Sequence, residues 1–99
     1  MLPDPMRAAT TMVIKSINGL HARPAALFVK TAGRFKCEVT VSASERQANG
    51  KSIVGLMTLG VGRGGTLTIT ADGDDAEQAV EELETLLLGE IWGPEAVKG

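Results

Sequence analysis

Thr66-Leu67-Thr68-Ile69-Thr70-Ala71-Asp72-Gly73-Asp74-Asp75-Ala76-Glu77-Gln78-Ala79-Val80, continued by Glu81 to Leu88, changes its hydrophobic period midway. Up to Ala71 apolar and polar residues alternate, as in a strand with one wet face. Asp72-Gly73-Asp74 has the composition of a turn. From Asp75 to Leu88 the apolar positions Ala76, Ala79, Val80, Leu83, Leu86 and Leu87 recur at helical spacing and mark one buried face. Asp75 and Glu77 lie near the start of that helix, where the macrodipole favours acids, and Gly89 can end it. A strand wet on one side, followed by a helix apolar on one side, belongs to an antiparallel sheet covered on a single face.

Working upstream, Gly60, Gly62, Gly64 and Gly65 make a turn-forming connection into that strand. Before it, Lys51 to Leu59 is apolar at nearly every position and predicts a short helix capped by Ser52. Asn49-Gly50 is a turn signal after a short strand at Arg46–Ala48. Cys37, Val39 and Val41 alternate with Lys36, Glu38 and Thr40, which predicts another strand, and Ser42 to Glu45 breaks it. Ala25, Phe28, Val29, Ala32 and Phe35 share one face of a helix predicted over Ala22–Phe35, with Gly33 near its end. Met12 to Ile17 is rich in β-branched residues and predicts the first strand, ending at Asn18-Gly19. Residues 1–11 read as an extended or disordered lead, with Met6 an alternative start, and residues 89–99 as an irregular tail containing Trp92 and Pro94. The expected architecture is one α+β domain over 12–88. It is a two-layer open-faced β-sandwich of order βαββαβα, a four-stranded antiparallel sheet with three helices on one face.

Composition narrows the function. Ten basic residues against twelve acidic give a net charge of −2, and Phe28, Phe35 and Trp92 are the whole aromatic set. Neither a basic footprint nor a stacking platform for nucleic acid is present. Cys37 is alone, which excludes an internal disulfide framework, and its pattern suits a small buried hydrophobe. No run approaches the ~18 apolar residues of a membrane span. The first residues do not resemble a signal peptide, so a cytoplasmic protein is expected.

Reactive chemistry concentrates in Asn18-Gly19-Leu20-His21-Ala22-Arg23-Pro24-Ala25, which holds the only histidine. Proline is tolerated in the first turn of a helix because the N–H it lacks has no partner there, so His21 falls at a helix start. A lone histidine is more often a surface or cap residue than a catalytic one. Here, however, free backbone N–H groups and a partial positive charge make an anion site, and Arg23 adds a planar donor fork suited to phosphate. One histidine and one cysteine do not make a zinc site, and no nucleophile-elbow pattern supports a hydrolase.

Gly19-Leu20-His21-Ala22-Arg23-Pro24-Ala25-Ala26, together with Asn49-Gly50-Lys51-Ser52-Ile53-Val54-Gly55-Leu56-Met57-Thr58-Leu59-Gly60, resembles the HPr family of the bacterial phosphoenolpyruvate-dependent phosphotransferase system. The likeness spans about residues 12–88. It implies a phosphocarrier in sugar uptake or its regulation, an intermediate rather than an independent catalyst, with no cofactor and no metal. His21 would be phosphorylated on Nδ1 by phospho-enzyme I and would pass the group to an EIIA domain. Arg23 would hold the phosphate, with Ala22 and Asn18 beside it. Ser52 matches the position that a serine kinase phosphorylates in some bacteria, although a helix N-cap accounts for a serine without regulation. For the surface that meets these partners we expect exposed Val54 and Leu56, flanked by Lys30 and Lys51, with Ile53 and Met57 in the core. Gly33 and Gly55 stand where family members often carry lysine, which removes part of the usual basic rim. The chain is expected to be a monomer that meets neither nucleic acid nor membrane. The alternatives are a nitrogen-branch regulatory carrier, a docking module that carries no phosphate, a type that typically lacks the histidine, and a small-molecule-binding domain.

Overall fold

The structure, a computed structural model, describes residues 6–14, 22–62 and 64–89. Its elements are β1 (Arg7–Val13), α1 (Ala22–Ala32), β2 (Glu38–Ala43), β3 (Arg46–Asn49), α2 (Ile53–Thr58), β4 (Thr66–Asp72) and α3 (Ala76–Leu87). The strands form one antiparallel sheet in the order β1-β4-β2-β3. Val39, Val41 and Ala43 of β2 and Leu67, Ile69 and Ala71 of β4 are buried, every second residue, as the alternation predicts. All three helices cover that face: α3 lies on β1 and β4, α2 on β3, and α1 packs against both helices. The result is the expected open-faced α+β sandwich.

The core between the layers is apolar, with Phe28, Leu56, Leu67, Ile69, Leu83 and Leu87 all at most 1% exposed. Two glycines let other elements approach closely. A Cβ on Gly73, whose φ is +151°, would sit 2.7 Å from Cys37 Cα, and one on Gly50 would collide with Val39 Cγ1 and lie 3.2 Å from Phe28 Cε1. The turn chemistry at Asp72-Gly73 and Asn49-Gly50 therefore also serves packing.

Two boundaries differ from the sequence expectation. The first strand runs Arg7–Val13 and so takes in residues 7–11, which the sequence places in an extended or disordered lead. Ala8 and Ala9 have weak strand propensity, and Pro3 and Pro5 discourage a strand, but β4 supplies a partner along its whole length, from Arg7↔Asp72 to Val13↔Thr66. Thr10 Oγ1 also donates to Glu84 Oε2 at 2.6 Å, tying β1 to α3. The expected strand residues Lys15 to Ile17 lie outside the described residues, as do residues 1–5 and 90–99. The helix expected to reach Phe35 ends at Ala32, where tighter turns take over: Arg34 N donates to Thr31 O and Phe35 N to Ala32 O, both at 3.1 Å. Phe35 is still buried.

Asp75 does more than favour the start of α3. Its carboxylate accepts from Lys36 N at 2.8 Å and from Cys37 N at 2.9 Å, fixing the entry to β2. The Lys36 N–H is the main cause that holds the Asp75 carboxyl below its ordinary pKa, opposed by partial burial and helped by Cys37. Burial, with the Asp75 carboxylate added, pushes the Cys37 thiol up to about 11, which suits an inert buried hydrophobe. Because the folded pKa of Asp75 is lowered, its stabilisation is fully present above the unfolded value of about 3.9 and is lost as pH falls through the folded value. Asp75→Asn keeps one acceptor for two donors, so we expect a lower unfolding midpoint at pH 7 and a weaker loss of stability on acidification below about pH 4. Thermal unfolding followed across pH checks this; a variant as stable as the parent at pH 7 would contradict it.

Candidate functional site

α1 begins at the protein surface. Ala22 and Arg23 are exposed while Pro24 and Ala25 are buried, so the helix start is anchored by its third and fourth residues and open at its first two. The first turn contains no acidic side chain, so its N–H groups and partial positive charge are not met by a carboxylate of that turn. The only basic residue of the last turn is Lys30, which is exposed. His21 directly precedes Ala22 in the chain. His21 and Asn18 themselves lie outside the described residues.

α2 packs against α1 and β3. Ser52 is its N-cap: Ser52 Oγ accepts from Gly55 N at 3.1 Å, and Ser52 N donates to Asn49 O at 3.0 Å. Asn49 Oδ1 in turn accepts from Lys51 N at 2.9 Å, so the Asn49-to-Ser52 turn and the cap form one unit. Beyond the cap the structure corrects the sequence reading. Leu56, expected on the partner surface, is 1% exposed, whereas Ile53 and Met57, expected in the core, are 40% and 44% exposed. Val54 is exposed as expected, at 70%. With only six residues, α2 turns Leu56 and the following Leu59 inward, which leaves Ile53, Val54 and Met57 on the outer side. Gly55 faces the sheet, where a Cβ would come within 3.3 Å of Ala48 Cβ.

Lys51 is half-buried, and its Nζ donates to Phe35 O at 2.7 Å, so the charge is held on a backbone carbonyl rather than extended as a rim contact. An open cleft of about 450 Å³ reaches from β2 and β3 to Lys51, lined by Lys36, Glu38, Thr40, Gln47, Asn49 and Lys51 among others, and none of its lining residues belongs to α1 or α2. Sequence reasoning missed Ile53 and Met57 as surface residues. The signal available was the pairing of Leu56 with Leu59 at a spacing of three, against which Ile53 and Met57 fall outside the inward stripe.

The open-faced βαββαβα sandwich places the exposed first residues of α1 next to a short helix that exposes Ile53, Val54 and Met57. Comparison with known proteins makes the class specific. The family model described as "PTS HPr component phosphorylation site" matches residues 8–88. The chain is 51% identical over 70 residues to the phosphocarrier protein HPr of Haemophilus influenzae, covering 71% of this chain and 82% of that protein. It is 46% identical over 70 residues to the HPr-like protein Crh of Halalkalibacterium halodurans, covering 71% and 83%. Among solved structures, the histidine-containing phosphocarrier protein of a mycoplasma superposes with a TM-score of 0.83 at 37% identity, covering 85% of this chain and 96% of that one. The chain belongs to the HPr family of phosphocarriers of the phosphotransferase system. No helix among the described residues is long and apolar enough to cross a membrane.

Proposed function

We propose that the chain is a cytoplasmic phosphocarrier in which His21 accepts a phosphoryl group from phospho-enzyme I and passes it to an EIIA domain, in sugar uptake or its regulation. The observation that carries this reading is the open start of α1, with Ala22 and Arg23 exposed and no acid in the first turn, directly after the only histidine. In the first transfer the Nδ1 lone pair of His21 forms a bond to phosphorus as the bond to the donor breaks; in the second a nucleophile of the acceptor forms a bond to phosphorus as the Nδ1–P bond breaks and its electron pair returns to Nδ1. The product is an anion, so the Ala22 N–H and the Arg23 guanidinium stabilise it more than they stabilise the free imidazole, and Asn18 is assigned a supporting role. An exposed site holds the group with few donors and leaves it accessible to the next partner. His21 is also the feature that argues against a docking module without phosphate.

Docking in this reading uses the outer side of α2, Val54 with Ile53 and Met57, next to α1. Lys30 supplies the basic rim. The experiment that tests the route is a two-stage transfer: the chain is loaded with enzyme I and phosphoenolpyruvate, purified, and mixed with EIIA domains of the sugar and nitrogen branches. Phosphate passing to a sugar-branch EIIA supports the proposal. Transfer only to the nitrogen-branch protein reassigns the branch, and transfer to neither overturns the carrier role.

Ser52 is the regulatory residue of the proposal. An acid at an N-cap still accepts from the helix amides and suits the macrodipole, so Ser52→Asp retains the fold. It also places a charge beside Ile53 and Val54, and charges at an interface rim act mainly on the rate of encounter. We expect phosphorylation of Ser52→Asp by enzyme I to be slower by about tenfold, corresponding to ~1.4 kcal/mol. Equal initial rates for the two proteins would contradict regulation through this residue.

A further inference from the structure

The charges of the chain are sorted by element. No acid occurs from residue 5 to residue 37 or from residue 46 to residue 71, and every basic residue except Lys98 lies within those two stretches. α1, β3 and α2 fall inside them, so the helix proposed to meet partners and the elements packed against it contain no acid. The acids collect instead around α3 and at one end of the sheet, where Glu38 lies opposite Asp72. A chain of net charge −2 thus builds its docking side from elements whose only charges are positive.

α2 itself carries no charged residue, and the cation at its end comes from β3. Residues of a strand alternate between the two faces of the sheet, so Arg46 shares the helix-covered face with half-buried Ala48, while Gln47 and Asn49 face the open side. From there Arg46 Nη1 donates to Thr58 O at 3.1 Å, at the end of α2 directly after exposed Met57. A cation suits the carbonyl end of a helix. The contact uses one guanidinium N–H and leaves the others open, and Arg46 makes no ion pair among the described residues although exposed Glu45 precedes it. Two other cations are already engaged, Arg34 by Glu82 at 2.7 Å and Lys51 by the Phe35 carbonyl.

We infer that Arg46 is a specificity-determining residue for docking, which takes a carboxylate of enzyme I at the C-terminal end of α2. The inference rests on the carrier role of His21 and adds to it a contact from outside both helices. Apolar contact through Ile53, Val54 and Met57 is non-directional, so by itself it selects neither a register nor a partner. A guanidinium meets a carboxylate in a planar, bidentate geometry, and one such pair at the end of the apolar helix fixes how the two surfaces lie when His21 meets its donor. The bond to Thr58 O restrains the Arg46 side chain beforehand, which reduces the freedom lost on binding. A partner surface that is apolar and bordered by acids fits this arrangement, and one bordered by bases is repelled. Enzyme I is the partner assigned because loading of His21 precedes every onward transfer.

Initial rates of phosphorylation by a catalytic amount of enzyme I with phosphoenolpyruvate, measured over a range of concentrations of the full chain, give kcat and KM separately for each variant. Arg46→Glu is expected to raise KM about tenfold at ~50 mM salt while kcat holds, and the gap to the parent is expected to close towards ~500 mM salt as screening shortens the reach of the charge. Arg46→Gln is expected to raise KM about threefold, and Arg46→Lys, which keeps the charge and loses the fork, to fall between it and the parent. A role confined to capping α2 predicts something else: lower unfolding midpoints for Arg46→Gln and Arg46→Glu, with no salt-dependent difference in KM. Thermal unfolding of the same preparations identifies the folded variants, and should Arg46→Glu not fold, Arg46→Gln takes its place. A folded variant with the KM of the parent at low salt overturns the inference, as does a rise that salt leaves unchanged or one seen only in transfer to an EIIA domain; each of these leaves the carrier role of His21 intact. A parent chain that enzyme I does not phosphorylate at any concentration overturns the carrier role, and this inference with it.

Discussion

Replacing His21 with alanine is expected to abolish phosphorylation by enzyme I and phosphoenolpyruvate, to the level of a reaction lacking the chain, while the protein folds as before. The loss is complete rather than partial because no second histidine exists to take the phosphoryl group. The donors at the start of α1 remain in the variant, but they stabilise a charge that never forms without a nucleophile. Stability is expected to change by less than about 1 kcal/mol. Phosphorylation assays and thermal unfolding on the same preparation separate the two effects. Normal phosphorylation of the alanine variant would remove His21 from the mechanism. Loss of activity together with loss of fold would show that the residue holds the structure rather than the phosphate.

The largest effect on stability is expected at Phe28. Its ring is 1% exposed and sits between α1 and the Gly50 turn, where space is so tight that a Cβ on Gly50 would lie 3.2 Å from it. Truncation to alanine loses the transfer energy of the ring and leaves a cavity that the sheet beneath cannot fill, about 3–5 kcal/mol in comparable sites. Small domains have only about 5–15 kcal/mol to lose, and at ~4–8 °C per kcal/mol the midpoint should fall by roughly 12–40 °C. Urea unfolding should show a lower midpoint with an unchanged slope. A loss below about 1 kcal/mol would mean that the site closes up around the missing ring and that the α1–sheet contact is not the centre of the core.

The elements legible from sequence are those whose apolar period persists long enough to be unambiguous. β4 alternates over six residues and α3 repeats over three turns, and both stand within a residue or two of where the pattern places them. β2 and the Ser52 cap were legible for a different reason, because alternation and cap chemistry are local. β1 was misplaced because nothing in Arg7-Ala8-Ala9-Thr10-Thr11 announces a strand; its partner β4 lies more than fifty residues away in the chain. Long-range pairing, not propensity, puts it in the sheet. α2 shows the same limit within a single element: four apolar residues in six positions cannot reveal which face is buried until α1 and β3 are in place. Hence Leu56 goes inside and Met57 outside. At the candidate site the start of α1 and the Ser52 N-cap are readable as local chemistry. That Lys51 spends its charge on the Phe35 carbonyl was not, because that contact belongs to the tertiary fold.

These placements bear on how the chain would work as a carrier. The residues proposed to hold phosphate sit at the first turn of a helix anchored by buried Pro24 and Ala25, while the apolar residues proposed to meet partners sit on a separate short helix with a hydrogen-bonded cap. In that proposal chemistry and docking fall to different elements, and the two elements touch each other. A change on the outer side of α2 can alter encounter without altering the phosphate site, and Ser52 is where such a change is best placed.

Incubation of the unmodified chain with enzyme I and phosphoenolpyruvate, followed by mass spectrometry that maps the modified residue, tests the central claim most directly. The account predicts one phosphoryl group per chain, labile in acid and located on His21. No phosphate, or an acid-stable phosphate on Ser52 or any other residue, would contradict it.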